Sequence, residues 1–351
     1  MAPKKFIFLS LFMSLLALSL PAVFTAVFDP FFFLHKRFAE HGFDGTDRYQ
    51  NAGLIKSYLA DPAENFNSVI IGTSVSQNFT ASHFDQPDGK TLKLTLAGAK
   101  PRDLAVIAQS AIDTGRVKNI YWEVFTPYAE GTADDQHDIA PPPAFLYNKT
   151  AADNWRYFFN NDVFEEALKI ARGKPGKRKK LDDLYKWENT EQFEKFSSPE
   201  NKNALRTQLQ KATSIKNAAD FIDAFPNITE NILPRVQKNP GINFNFFFPP
   251  ASCFSYANMG DEGFGRLMAM RENLIKHMDK IKNVTIYGFD LENFPCDLRN
   301  YMDPIHYKPA YNDLMAQRIR QGENKITLQS WPRYKSALTQ KVQSFRKSFL
   351  Q

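Results

Sequence analysis

Residues 48–322 predict an α/β domain in which a parallel sheet is covered by helices on both faces. Three observations carry this: short apolar or alternating runs that suit strands, amphipathic stretches that suit helices, and a regular alternation of the two along the chain. Composition agrees. The 351 residues are 43% hydrophobic and 23% charged, which excludes a disordered polar chain and a multi-pass membrane protein. It suits one large domain, or a domain with an insertion.

The elements follow in order. After Lys4 and Lys5 comes an uncharged run, Phe6 to Phe28, of 23 residues. As a helix it would span roughly 35 Å, enough for the hydrocarbon core of a bilayer. We read it as an uncleaved anchor in preference to a cleaved signal or a buried helix. The available cut sites, Leu20-Pro21-Ala22 and Phe24-Thr25-Ala26, are both poor. Lys36 and Arg37 follow the run closely, so the flanking charges nearly tie. The favoured orientation puts the amino terminus in the cytoplasm and the bulk of the chain outside.

Residues 29–47 form an aromatic-rich neck with Phe31, Phe32, Phe33 and Phe38. Arg48 to Leu59 predicts a short helix ended by Asp61-Pro62. Strands are expected at Ser68–Gly72, Thr91–Leu96, Asn119–Phe125, Ile242–Phe248 and Val284–Phe289. Helices are expected at Pro101–Thr114, Asp261–Lys282 and Pro309–Arg320. Between the third and fourth strands, residues 128–240 read as a helical insertion, with helix-like stretches at Trp155–Arg172, Glu200–Phe225 and Ile228–Val236. The basic link Gly173–Lys180 within it suits a solvated loop.

Net charge is +6, and residues 324–351 hold six basic residues with no Asp or Glu, so residues 1–323 sum to zero. The basic character therefore belongs to the tail, and a nucleic-acid-binding surface is discounted. Within the tail, residues 323–351, Leu338, Val342, Phe345 and Phe349 recur at helical spacing. A basic amphipathic helix of this kind suits an anionic membrane or a partner groove; packing on its own domain stands as the equal alternative.

Three features bear on chemistry. Gly72-Thr73-Ser74 follows the first strand and precedes an expected helix, Val75 onward. A serine there sits at the carboxyl edge of an open sheet, where ligands bind and a helix amino terminus offers N–H groups to an oxyanion. Asp303-Pro304-Ile305-His306 follows the fifth strand, toward the same edge. That spacing lets the carboxylate hold one imidazole nitrogen and leaves the other as a base. Gly98, after the second strand, lets a backbone N–H approach a bound group. Each alone has a plainer reading: a helix cap, a surface Asp beside a half-buried His, a strand-exit glycine.

At these residues the chain resembles the SGNH hydrolase superfamily, whose nucleophile turn, second-strand glycine and Asp-x-x-His block match Gly72-Thr73-Ser74, Gly98, and Asp303 with His306. Within it the layout is closest to membrane-anchored SGNH-like proteins of bacterial envelope modification, the teichoic-acid D-alanyl transfer and alginate O-acetylation types. Phe248-Pro249-Pro250 and His306-Tyr307 add to the likeness. It covers about residues 48–320 without the insertion. The resemblance implies a flavodoxin-like three-layer fold with a Ser74–His306–Asp303 triad and an oxyanion hole of the Ser74 and Gly98 N–H groups. It also implies an acyl-enzyme passing its acyl group to an envelope glycan or to water, with no cofactor. The location implied is the cytoplasmic membrane, with the domain in the periplasm or outside, beside a membrane-bound O-acyltransferase partner.

One block departs from the pattern. Many superfamily members carry an oxyanion-donating asparagine after the third strand; here Tyr121-Trp122-Glu123-Val124-Phe125-Thr126 has none. Losing one such donor costs roughly 3 kcal/mol. This favours the rival reading, a non-catalytic glycan-binding or scaffold partner of an acyltransferase. Glu123 is expected to cap a helix or pair with a base, and Arg102, beside Gly98, to meet an anionic group of the substrate.

Cys253 and Cys296 each follow a late strand, so a disulfide and two free thiols both stand open. Asp134, Asp135, His137 and Asp138 suit a solvated acidic loop better than a cation site; no metal site is expected. There is no His-Glu-x-x-His, phosphate-binding loop or dinucleotide fingerprint. Four glycosylation sequons, beginning at Asn78, Asn148, Asn227 and Asn283, read as chance.

Overall fold

In the computed structural model the uncharged amino-terminal run is one helix, α1 (Pro3–Phe28). The structure describes residues 3–37, 47–125, 131–149, 151–174, 180–187, 190–214 and 225–351. An 18-residue window within Lys4–Phe28 reaches a mean hydropathy of 2.3, and the helix is long and apolar enough to cross a membrane. Phe6, Phe8, Leu11 and Leu15 on its first part are exposed. Its last turns are seated on the domain: the Phe24 ring lies 5.3 Å from that of Phe164.

The described part of the neck is a built turn. The buried Asp29 carboxylate accepts the N–H groups of Phe33, Leu34 and His35 at 2.9, 2.6 and 2.8 Å, and the Tyr157 hydroxyl at 2.7 Å. Phe31 and Phe32 are fully buried. Phe38 lies outside the described residues.

The predicted helix at 48–59 is α2 (Asp47–Leu54), continued by a π-turn, Ile55–Leu59. Then come β1 (Phe66–Gly72), β2 (Lys90–Thr95), α3 (Pro101–Ile112) and β3 (Asn119–Glu123). The described part of the insertion begins as an irregular loop, 131–143, and then carries helices α4 (Ala144–Tyr147), α5 (Trp155–Phe158), α6 (Asn161–Ala171), α7 (Thr190–Phe196), α8 (Pro199–Lys211) and α9 (Pro226–Lys238). The single stretch expected at 155–172 is thus two helices. Residues 175–179 of the basic link, and 215–224 of the helix expected at 200–225, lie outside the described residues. β4 (Asn243–Phe248), α10 (Cys253–Asn258), α11 (Gly260–Met278), β5 (Val284–Gly288), α12 (Pro309–Gln321), β6 (Lys325–Ile326) and α13 (Trp331–Leu350) complete the chain.

Among the described residues one six-stranded sheet forms, in the order β2-β1-β3-β4-β5-β6. The first five strands are parallel and β6 is antiparallel to β5. Every residue of β1 is buried, as a strand covered on both faces must be. Alternation along β3 separates the two layers. Tyr121 faces one side, where its ring meets Phe84 at 4.6 Å and its hydroxyl accepts from Gln86. Trp122 faces the other, lining a small apolar cavity with Leu104 of α3 and Ile228 and Ile232 of α9. The strand order reverses between β1 and β3, β2 lying to one side of β1 and the later strands to the other, the point where open α/β sheets leave a crevice at their carboxyl ends.

The tail does not stand free. Leu338 and Val342 of α13 are fully buried, and Trp331 and Phe345 nearly so, against α10 and α8. Of its cations, Lys341 donates to the main-chain carbonyls of Asp290 and Glu292, and Arg346 to that of Ala212 at 2.7 Å. Apolar spacing and basic charge thus serve intramolecular packing, the alternative left open above. Below α13, Asp290 at the end of β5 is fully buried and bound by Arg271 at 2.7 Å and Tyr334 at 2.6 Å, with a third bond from Tyr256. The Asp290 carboxylate of this buried pair thus has its hydrogen-bonding capacity met, while Arg271 Nε is buried without a hydrogen-bond partner among the described residues.

Candidate active site

The three residues singled out for chemistry come together at the carboxyl edge of the sheet. Ser74 Oγ lies 2.8 Å from His306 Nε2, and His306 Nδ1 lies 2.6 Å from Asp303 Oδ2. The second Asp303 oxygen accepts the N–H groups of Ile305 and His306, each at 2.8 Å. A carboxylate on Nδ1 fixes the proton there and leaves Nε2 to accept from the serine hydroxyl. Burial opposes ionisation of Asp303, but hydrogen bonds and charge from His306 outweigh it and hold the carboxyl below its usual range.

Local structure explains how Ser74 is presented. Gly72 ends β1 against its neighbours: a Cβ there would sit 2.5 Å from Glu123 Oε2 and 2.6 Å from Ser76 Oγ, so only glycine fits. The expected helix after Ser74 is one 3-10 turn, Ser74–Ser76. The correction has a physical reason: the buried Glu123 carboxylate takes the Thr73 N–H and hydroxyl at 2.9 and 2.6 Å and also the Ser76 hydroxyl, curling the backbone tightly around itself. No long helix stands behind the serine, so individual N–H groups rather than a macrodipole face the site. Glu123 neither caps a helix nor meets a base. Burial pushes its carboxyl up, against the hydrogen bonds from Ser76 and Thr73.

The Asp303–His306 turn leaves β5, two strands from β3, and is held in place from both sides. Ser252, after β4, binds the Pro304 carbonyl, and the Tyr301 hydroxyl donates to the Pro250 carbonyl at 3.1 Å. On the Ser74 side, the Tyr307 hydroxyl and the Asn312 amide both donate to the Val75 carbonyl, at 3.1 and 2.9 Å. The start of α12 thus grips the Ser74 turn itself. Cys253 and Cys296 form a disulfide, with Cα atoms 4.8 Å apart, beside this turn.

Gly98 has φ of 68°, a left-handed conformation suited to glycine. Neither its N–H nor that of Ser74 has a hydrogen-bond partner among the described residues. Trp187, from the insertion, was not singled out from the sequence. Its indole N–H donates to the Ser74 carbonyl at 3.1 Å, and its ring meets His306 edge-on at 5.3 Å. An isolated Trp in a charged segment carries no local signal for this. Glu123 did carry one: it is the one charged residue of an otherwise apolar strand, Asn119–Phe125.

Arg102 lies on the first turn of α3 and is held by the Asp134 carboxylate and carbonyl. A guanidinium engaged in this way offers less to a substrate anion than its place beside Gly98 suggests. Lys100 pairs with Asp138 at 2.6 Å, and Asp135 accepts from Thr132. The acidic cluster is therefore a loop stitched to α3, and the described residues contain no group suited to hold a metal. Asn78 is buried, its carbonyl accepting the Trp187 N–H, which argues against its sequon as a glycan site. No protein-family model matches the chain, and no curated protein matches it.

Proposed function

We propose that this protein is a membrane-anchored acyl-transfer enzyme of the SGNH hydrolase type, working outside the cytoplasm on an envelope or exopolysaccharide glycan. The observation that carries the proposal is the unbroken series Ser74 Oγ, His306 Nε2, His306 Nδ1, Asp303 Oδ2, with contacts of 2.8 and 2.6 Å. The flavodoxin-like strand order and the resemblance at Gly72-Thr73-Ser74, Gly98 and Asp303-x-x-His306 support it. The disulfide supports an oxidising compartment, and α1 supports anchorage.

In this mechanism Ser74 Oγ attacks the carbonyl carbon of an ester donor as its proton passes to His306 Nε2. Asp303 stabilises the resulting imidazolium. The N–H groups of Ser74 and Gly98 hold the oxyanion. Collapse expels the donor alcohol, which takes the proton from His306, and leaves an acyl group on Ser74. A sugar hydroxyl or water then gives its proton to His306 as it attacks the acyl carbon, and collapse transfers that proton to Ser74 Oγ as the serine leaves.

The test is hydrolysis of p-nitrophenyl acetate by the full-length chain in detergent. Ser74→Ala is expected to lower the rate at least about 1,000-fold and to abolish labelling by a fluorophosphonate. Equal rates, with no labelling of the wild type, would instead support the second reading, a non-catalytic partner of a membrane-bound O-acyltransferase. What favours that reading is the absence of an asparagine at the exit of β3, Glu123-Val124-Phe125.

A further inference from the structure

The donor missing at the β3 exit has a candidate replacement further along the same loop. His137 lies with its ring edge against Gly98: a Cβ built on Gly98 would stand 2.9 Å from His137 Nε2 and 3.2 Å from Cδ2. The imidazole thus occupies the space a side chain at position 98 would fill, directly beside the Gly98 backbone.

The ring's protonation follows from its partners. Nδ1 accepts two main-chain N–H groups, from Ile139 at 3.2 Å and Ala140 at 3.0 Å. A nitrogen that faces two donors carries no hydrogen of its own, so the neutral ring bears its proton on Nε2. Nε2 has no hydrogen-bond partner among the described residues. It is a donor without an acceptor, beside Gly98.

The ring is also held still. The main-chain N–H of His137 donates at 2.7 Å to Asp103 Oδ2, which accepts the main-chain N–H of Lys100 as well, and Asp103 is fully buried at the start of α3. The Lys100–Asp138 and Arg102–Asp134 pairs flank it, and the Asn231 amide binds the Ala133 carbonyl at 2.9 Å. A fixed neutral N–H aimed at a developing oxyanion stabilises a transition state without reorganisation.

We propose that His137 is a catalytic residue whose Nε2–H donates to the acyl carbonyl oxygen as it becomes an oxyanion, the third donor beside the N–H groups of Ser74 and Gly98. This rests on the acyl-transfer reading of the Ser74 site. No proton is transferred: the donor forms one hydrogen bond that strengthens as the carbonyl carbon becomes tetrahedral and is released as the acyl-enzyme collapses.

The test compares full-length wild type, Ser74→Ala, His137→Ala and His137→Gln on p-nitrophenyl acetate, with melting temperatures as a check of folding. His137→Ala is expected to lower kcat about 100- to 1,000-fold with KM changed by less than about threefold. His137→Gln, which keeps an N–H near the Nε2 position, is expected to recover at least about tenfold of that loss. A His137→Ala kcat within about threefold of wild type overturns the proposal. So does a rise in KM alone, or a Gln variant no better than Ala. Wild-type rates in Ser74→Ala would overturn the acyl-transfer reading itself, whatever the His137 variants do.

Discussion

Ser252 binds Pro304 twice. Its main-chain N–H and its hydroxyl both donate to the Pro304 carbonyl, at 2.9 and 2.8 Å, fastening the turn that carries Asp303 and His306 to the exit of β4. The same hydroxyl accepts the Ser255 N–H and so caps α10. Ser252→Ala removes the cap and one of the two bonds. The expected loss is about 1–2 kcal/mol of stability and about tenfold in kcat, as the imidazole drifts from Ser74. Melting and ester hydrolysis measure the two, and an unaltered kcat would separate the Ser252 tie from the alignment of His306.

Glu123 links stability to pH at the Ser74 turn. Its carboxyl is raised by burial, so the folded protein holds that proton more tightly than the unfolded chain. In the window from the ordinary Glu range, about 4.3, up to the raised folded value, the native state binds more protons, and stability falls as pH rises. Glu123→Gln removes this titration. The melting temperature of wild type relative to the variant is therefore expected to decline across that window and then level off. Parallel melting curves from pH 4 to 9 would refute the assignment. The variant is also expected to lose activity, because an amide nitrogen cannot accept the Thr73 or Ser76 donors that one carboxylate oxygen now receives.

The Cys253–Cys296 bond closes a loop with a sequence separation of 43. On the chain-entropy model it contributes about 4 kcal/mol. Replacing both cysteines by serine is expected to lower the denaturant midpoint accordingly. Activity should fall with it under mild denaturant, since Cys253 follows Ser252 directly. Thiol titration of the unreduced, unfolded wild type should detect no free thiol.

Much of the scaffold was legible in the chain. Val69, Ile70 and Ile71, or Phe244, Phe246 and Phe247, form apolar runs that only a buried strand accommodates, and the predicted strand limits differ from the observed ones by at most two residues. The start of α11 and both ends of α12 lie within one residue of the expected limits, whereas α11 ends at Met278, four residues before the expected Lys282. The apolar stripe of α13 was equally plain, but its partner was not, because a stripe specifies that something is covered and not what covers it.

Ser74, Gly98, Asp303 and His306 carried signals because each sits at a fixed offset from a strand end or from another member. Trp187 carried none, and His137 was visible only as a member of the acidic cluster at 134–138: both lie in the insertion, where no periodicity ties a residue to a place. Glu123 was visible as an anomaly, and its partners Thr73 and Ser76 became evident only on folding.

Local pattern by itself therefore determined the alternation of strands and helices, the length of the membrane-compatible helix, and which residue types reach the carboxyl edge of the sheet. Those properties depend on neighbours a few positions apart, whose spacing the backbone geometry sets. Folding alone decided that Ser74 meets His306 across 232 residues, that Trp187 lies over the pair, and that His137 fills the space beside Gly98. Contacts of that separation are fixed by how whole layers pack and by which loops the sheet edge gathers, and no short stretch of chain contains that information.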